Sequence, residues 1–449
     1  MTVLRKVGII GIGHVGAHVA NAVLSAGLAE ELKLCDINEQ KVVSECQDLS
    51  DTLGFYPHNC VIGNYGTQYE QLADCDVVIN AAGDVKTSAK DRDGELFVTT
   101  DIARTWISRL FNAGFHGVII TISNPCDVVA TEIWHITGYD PRKIIGTGTA
   151  LDSARLRNAI AKRVNVDQKS IGAYMLGEHG NSQFAYWSNV NIAGKPLDQL
   201  TQDDPQRFAL DKDETEQDAR RGGYRVYAGK ECTEYAIAAT AARLTQAVLC
   251  DEHYATACST LLTGEQGESG NYASLPCIIG ANGVEEVLSP TLTESEQAKF
   301  HASCEHIRAN RGNFDRYPAF KAADGYNTTC PVPTTTTGWY LPASGQWWDI
   351  LQNLGGCTAL AKPDEQASSQ DDDFGWSGQG DVPAALNAWM EKIATDSKDN
   401  FRSGKWFWSS SEYSEFFARY WYVQSNGRVG CYWDRKDGSS VGVRPVLAF

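Results

Sequence analysis

At 449 residues, with 43% hydrophobic and 21% charged residues, the chain is too long for one ordinary core and reads as soluble and globular, with two or three domains. A formal net charge of -17 offers no basic face for nucleic acid. It does not exclude an anionic substrate, whose binding depends on local charge.

No apolar run reaches membrane-spanning length. Thirteen cysteines are scattered without a CxxC pair, a metal-ligand spacing or a disulfide framework. They read as reduced thiols of a cytoplasmic, metal-free chain. Residues 1–27 are apolar with two early basic residues, as a signal peptide would be, but the glycines inside them have a better explanation. Asn327-Thr328-Thr329 fits a glycosylation acceptor, which carries no weight in the cytoplasm.

Lys6-Val7-Gly8-Ile9-Ile10 is a short apolar run, predicted to be a buried strand. Gly11-Ile12-Gly13-His14-Val15-Gly16 follows at once, then helical spacing from Ala17 to Ala26, then a second strand, Leu32 to Asp36, ending in an acid. A GxGxxG between strand and helix, with an acid twenty residues past its last glycine, predicts a dinucleotide site. Gly11 permits the tight turn, Gly13 admits the pyrophosphate, and Gly16 lets the helix pack on the strand. Asp36 suits a free ribose 2'-hydroxyl and repels a 2'-phosphate, so NAD is expected over NADP. Further strands are expected at Asp76 to Gly83, Gly117 to Pro125 and Lys143 to Gly148, with helices from Leu96 to Ala113 and Val128 to Thr137. This alternation predicts a doubly wound parallel sheet with ligands at the carboxyl ends of its strands, where Gly83, Asn124 and Gly148 fall.

Asp84 to Asp93 is a charged loop (Lys86, Lys90, Arg92), suited to be a lid or simply a solvated loop. Leu151-Asp152-Ser153-Ala154-Arg155 opens a helix with Asp152 and Arg155 on one face. That pair suits either an intrahelical ion pair, or an arginine for a carboxylate beside an acid for an imidazole. Leu176-Gly177-Glu178-His179-Gly180 places a histidine on a glycine-rich turn.

These motifs, together with Ile122-Ser123-Asn124-Pro125, resemble the L-lactate/malate dehydrogenase family in order and spacing over about residues 5 to 312. The wording of Phe115 to Val118, Ile144 to Thr149 and Pro276 to Gly280 is most similar to the L-2-hydroxyisocaproate branch. The resemblance implies a Rossmann domain (1–148), an α+β catalytic domain (149–312) and a homo-oligomer, tetramer or dimer. It implies that His179 is the general acid/base, Asp152 orients it, Arg155 grips the substrate carboxylate and Arg92 polarises the carbonyl. Asn124 and Thr233 would join the substrate site, while Gly11, Gly13, His14, Val15, Gly16, Asp36, Gly83 and Asn124 would hold NAD. Lys86, at the position that helps select the side chain, suggests a 2-oxo acid larger than pyruvate. Lactate or malate dehydrogenase is the alternative.

Composition changes after residue 312. Nine of the twelve tryptophans follow residue 337. A short helix is expected at Tyr317 to Asn327, helices through Gln346 to Leu351 and Pro383 to Ile393, a polar loop at Gly375 to Asp381, and β structure from Trp406 onward. Gly338-Trp339-Tyr340-Leu341-Pro342, Trp408-Ser409-Ser410-Ser411-Glu412 and Val443 to Phe449 resemble C-type-lectin-fold domains of the formylglycine-generating-enzyme-like kind, nearest to variable proteins diversified by retroelements. The resemblance implies a ligand-binding domain over 313–449. Period-two reading puts Trp421, Val423, Val429, Cys431 and Trp433 in its core. Tyr420, Tyr422, Arg428 and Tyr432, with Phe416, Phe417, Asp434 and Arg435, are expected as an exposed patch of binding composition. A second functional reading follows: a ligand-binding or display protein that uses the dehydrogenase part as a scaffold.

Overall fold

The structure is a computed structural model that describes residues 4–83, 96–230, 232–316, 339–340, 344–357, 374–376, 378–390, 405–412, 417–435 and 446–447. The chain divides into two compact units, Met1–Arg311 and Gly312–Phe449.

The first unit opens as β1 (Lys6–Ile10), α1 (His14–Ser25), β2 (Glu31–Cys35), α2 (Glu39–Thr52), β3 (Val61–Gly66), β4 (Val77–Asn80), α3 (Leu96–Asn112), β5 (Val118–Thr121), α4 (Cys126–Thr137) and β6 (Ile144–Gly146). β1, β4, β5 and β6 are almost wholly buried, as strands covered on both faces must be. They pair in parallel in the order β3-β2-β1-β4-β5-β6. Val19 and Val23 of α1 with Val42 and Leu49 of α2 pack on one face. Trp106 and Ile107 of α3 with Val129 and Ile133 of α4 pack on the other. This is the expected doubly wound sheet. Crossing order reverses between β1 and β4, so their carboxyl ends open a crevice for a ligand.

α5 (Ala150–Val164) follows, then the short strands β7 (Ile171–Gly172), β8 (Met175–Leu176), β9 (Phe184–Ala185), β10 (Asn191–Ile192) and β11 (Lys195–Pro196). Next come α6 (Leu197–Asp203), α7 (Pro205–Phe208), α8 (Lys212–Lys230) and α9 (Tyr235–Leu249). The strands β12 (Tyr254–Thr263), β13 (Ser269–Gly280) and β14 (Gly283–Val287) return to the first sheet, β12 running antiparallel beside β6. One nine-stranded sheet therefore carries both the glycine loop and the wall of the second half of the unit.

α10 (Glu294–Arg316) begins on a reciprocal cap. The Thr293 hydroxyl accepts from the Glu296 amide at 3.3 Å while the Glu296 carboxylate accepts from the Thr293 amide at 2.9 Å. Further along, Arg308 and His301 of α10 both donate to the buried Glu268 carboxylate beside β13.

In the second unit, β15 (Trp339–Tyr340) pairs with β20 (Val446–Leu447). β16 (Phe374–Trp376), β17 (Lys405–Glu412), β18 (Phe417–Val423) and β19 (Val429–Arg435) form a sheet in the order β16-β19-β18-β17. Helices span Ser344–Asn353 and Val382–Met390. Trp347, Leu351, Val382, Leu386, Phe407, Trp421, Val423, Val429 and Cys431 form its core, and Trp347 stacks on Phe407 at 5.5 Å. The expected polar loop at Gly375 to Asp381 is corrected at its start: Gly375 and Trp376 are strand, paired with Gly430 and Val429. A loop reading weighted the glycines and missed the partner strand. The helix expected at Tyr317 to Asn327 lies outside the described residues.

Candidate active site

The glycine loop is built as its spacing requires. Gly11 sits at φ +88°, and a Cβ there would lie 2.5 Å from the Ala82 backbone. A Cβ on Gly16 would lie 1.8 Å from the Gly11 carbonyl. On Gly13 it would meet nothing within 4 Å. Two glycines are thus demanded by the protein's own packing and the third leaves an open cradle. No side chain caps α1, so the amides of its first turn are free to meet an anion. Asp36 accepts from the Ile12 amide at 2.6 Å on one oxygen and the Asn38 amide at 2.8 Å on the other. Each oxygen keeps lone-pair capacity for a ribose hydroxyl. The residues present fit a dinucleotide. Val15 is half-buried, and Gly83 and His14 are exposed, His14 lying 3.9 Å from Glu234.

His179 lies on the turn after β8. Its Nδ1 is 2.6 Å from Oδ2 of Asp152, and only 10% of the ring is exposed. The other oxygen of Asp152 accepts from Arg155 at 3.0 Å, and Arg155 reaches on to the Thr233 hydroxyl at 3.4 Å. Asp152 is 2% exposed. α5 is stitched to β8 on both sides of Asp152: Thr149 donates to the Met175 carbonyl, and the Met175 amide donates to Ser153 at 2.9 Å. Acid and imidazole are therefore fixed by backbone as well as by their own contact. The stem of Arg155 lies against α8, where a Cβ on Gly222 would come 3.1 Å from its Cδ.

Two acids to which the sequence assigned no role complete the setting. Asp127, in the first turn of α4, is 2% exposed and accepts from the His179 amide at 2.7 Å and from the Ser259 hydroxyl. Burial pushes its carboxyl up to about 6. Glu178 is buried, accepting from the Ser182 hydroxyl with His306 3.4 Å away, and its own amide donates to Ser303 at 2.7 Å. Asn124 stands half-buried at the carboxyl end of β5. Arg92 and Lys86 lie outside the described residues. Asp251, His253 and Glu285 form a surface trio with ligand atoms within 4.8 Å of one another, all exposed.

In the second unit the expected exposed patch is corrected. Tyr420 is 8% exposed and Tyr422 6%. β18 runs between β17 and β19, so Tyr420 is registered between Trp408 and Tyr432, and Tyr422 between Trp406 and Gly430. In an isolated hairpin a side chain has a cross-strand neighbour on one side; in a central strand it has one on each side. Arg428 is exposed as expected, and Trp421, Val423, Val429 and Cys431 take the core. Phe416 lies outside the described residues; Phe417, Tyr432, Asp434 and Arg435 lie on strands whose side chains there are likewise undescribed.

A doubly wound sheet, an open glycine cradle with an acid at the next strand end, and a histidine–aspartate–arginine set together define an NAD-dependent oxidoreductase. Residues 5–146 match the lactate/malate dehydrogenase NAD-binding domain, and residues 149–313 the α/β C-terminal domain of the same family. The chain belongs to the lactate/malate dehydrogenase family. It is 38% identical over 301 residues to an L-lactate dehydrogenase of Fusobacterium nucleatum, covering 67% of this chain and 94% of that protein. It is 36% identical over 305 residues to L-lactate dehydrogenase 1 of Bifidobacterium longum, covering 68% and 96%. A lactate dehydrogenase from a Medee basin deep-sea metagenome library superposes with a TM-score of 0.65 at 32% identity, over 68% of this chain and 97% of that one. The ligand-bound minor L-lactate dehydrogenase of Enterococcus mundtii gives 0.64 at 31%, with the same coverage.

Proposed function

We propose that the chain interconverts L-2-hydroxy acids and 2-oxo acids with side chains larger than that of pyruvate. The observation that carries the chemistry is the 2.6 Å contact of His179 with Asp152, whose second oxygen holds Arg155, while the larger side chain rests on Lys86 in the sequence. Bound NADH supplies the hydride. The chain's own groups do the rest. With Nδ1 held by Asp152, Nε2 is the ring nitrogen left to give a proton to the substrate oxygen, or to take it back in the oxidation. Asp152 fixes the orientation of the ring. Arg155 binds the substrate carboxylate, with Thr233 beside it. Arg92 polarises the carbonyl, Asn124 hydrogen-bonds the same region, and Lys86 selects the side chain.

Comparing kcat/KM on pyruvate, oxaloacetate and 2-oxoisocaproate tests the substrate class. Preference for 2-oxoisocaproate is expected, and preference for oxaloacetate or pyruvate overturns it in favour of a malate or lactate dehydrogenase. The scaffold reading predicts no turnover on any of the three. The relatives' L-lactate activity supports the chemistry rather than the larger side chain.

For 313–449 the proposal is a C-type-lectin-like ligand-binding module. The pairing of β15 with β20 and the four-stranded aromatic sheet support it. Arg428 is the exposed one among the patch residues whose burial is described, and a ligand lost on Arg428→Ala is the test. A cytoplasmic homo-oligomer is the proposed form.

A further inference from the structure

We propose that Asp127 is a positioning residue for His179, holding its backbone and supplying a second negative charge to its imidazole; this rests on the reading of His179 as the acid/base. Asp127 stands where three elements meet: α4, which carries it; β12, which gives the Ser259 hydroxyl; and the turn after β8, which gives the His179 amide at 2.7 Å. The histidine is thereby fixed at two points, its main chain by Asp127 and its Nδ1 by Asp152.

Neither donor to Asp127 is a cation. The titratable groups around it are Glu178 and His179 on the turn, Cys304 on α10 and Cys126 on its own helix, with Asp152 beyond the imidazole. A buried carboxylate among acids and thiols is expensive, which is why burial drives it up. An uncharged residue would spare the fold that cost. The one group in this set that becomes cationic in turnover is His179, whose positive charge in turn favours the ionised form of Asp127.

The two parts of the role separate by substitution. Asp127→Asn keeps an oxygen acceptor for the His179 amide and removes the charge; Asp127→Ala removes both. The assay is NADH oxidation by the preferred 2-oxo acid from pH 5 to 9, with NADH affinity measured by fluorescence. In Asp127→Asn the limb above which kcat/KM falls is expected to move to lower pH, with kcat below that limb within about threefold of the parent. In Asp127→Ala, kcat is expected to fall about 10- to 100-fold at every pH while KM changes less. An unmoved limb with unchanged kcat in both variants overturns the inference. If Asp127→Asn fails to bind NADH, Ser259→Ala carries the test. It leaves the carboxylate without one donor, and a smaller shift in the same direction is expected; no shift overturns the inference. His179→Ala separates the two levels. Turnover surviving there overturns the reading of the site, whereas its loss with silent Asp127 variants overturns this inference alone.

Discussion

At the scale of single residues, the site is a set of short, one-to-one attachments, so each can be cut separately. His179→Asn is expected to lower kcat about 10²- to 10⁴-fold with NADH affinity unchanged, measured by steady-state kinetics and fluorescence titration. Asp152→Asn is expected to cost kcat comparably, since it leaves His179 and Arg155 without their shared carboxylate. Asp36→Ala is expected to narrow the preference for NADH over NADPH, read as the ratio of kcat/KM for the two, because the repulsion of a 2'-phosphate is removed. His179, Asp152, Arg155 and Thr233 were legible in the sequence because their chemistry lies in side-chain type at short spacing or in family motifs. Asp127 was not, because its partners are a backbone amide, which leaves no mark in the sequence, and a serine far along the chain. Tyr420 and Tyr422 misled for a different reason: period two separates the faces of a strand but does not say whether both are covered.

At the scale of elements, the glycine loop offers a paired test. Gly13→Ala is expected to leave the melting temperature within about a degree and weaken NADH about tenfold or more, because its Cβ meets no protein atom but enters the pyrophosphate's space. Gly11→Ala is expected to destabilise the first unit. The positive φ alone costs about 1–2 kcal/mol, and the Cβ would also overlap the Ala82 backbone. Scanning calorimetry with NADH titration distinguishes the two.

The clasp of α10 on β13 makes a pH prediction. Burial alone would raise Glu268, but hydrogen bonds from Arg308 and His301 hold it below the usual carboxylate range. A depressed carboxyl stabilises the fold above its unfolded pKa, about 4.3, and that stability is lost as pH falls through the folded value. Glu268→Gln is therefore expected to melt lower than the parent at pH 7 and to show a flatter loss below about pH 4.5. The parallel strands β1, β4, β5 and β6 were readable as apolar runs with glycine or proline after them. The β12–β13 hairpin was not assigned, since Tyr254–Thr263 mixes apolar residues with threonine and serine that are buried without breaking the strand.

At the scale of the whole molecule, the family match ends at residue 313, close to the division between the two units at Arg311 and Gly312. A chain ending at residue 313 is expected to keep kcat/KM for the 2-oxo acid within about threefold of the full chain, because the matched relatives contain only that part. Loss of turnover on truncation, with NADH binding intact, would show that the second unit contributes to catalysis. A change of composition was legible as a jump in tryptophan content, though it falls after residue 337, later than the end of the family match. The pairing that closes the second unit, Trp339–Tyr340 with Val446–Leu447, was not, because its two strands are two residues long and lie at opposite ends of the unit.

Gly222, the first of two adjacent glycines in the middle of α8, has a mechanical meaning. With no side chain at position 222, the stem of Arg155 rests directly on the helix backbone, while its guanidinium bridges to Asp152 of α5 and Thr233 just before α9. There is no soft layer between the helix and the arginine to absorb a displacement. A displacement of α8 is therefore expected to reach the group proposed to hold the substrate's carboxylate through direct contact rather than through an intervening side chain.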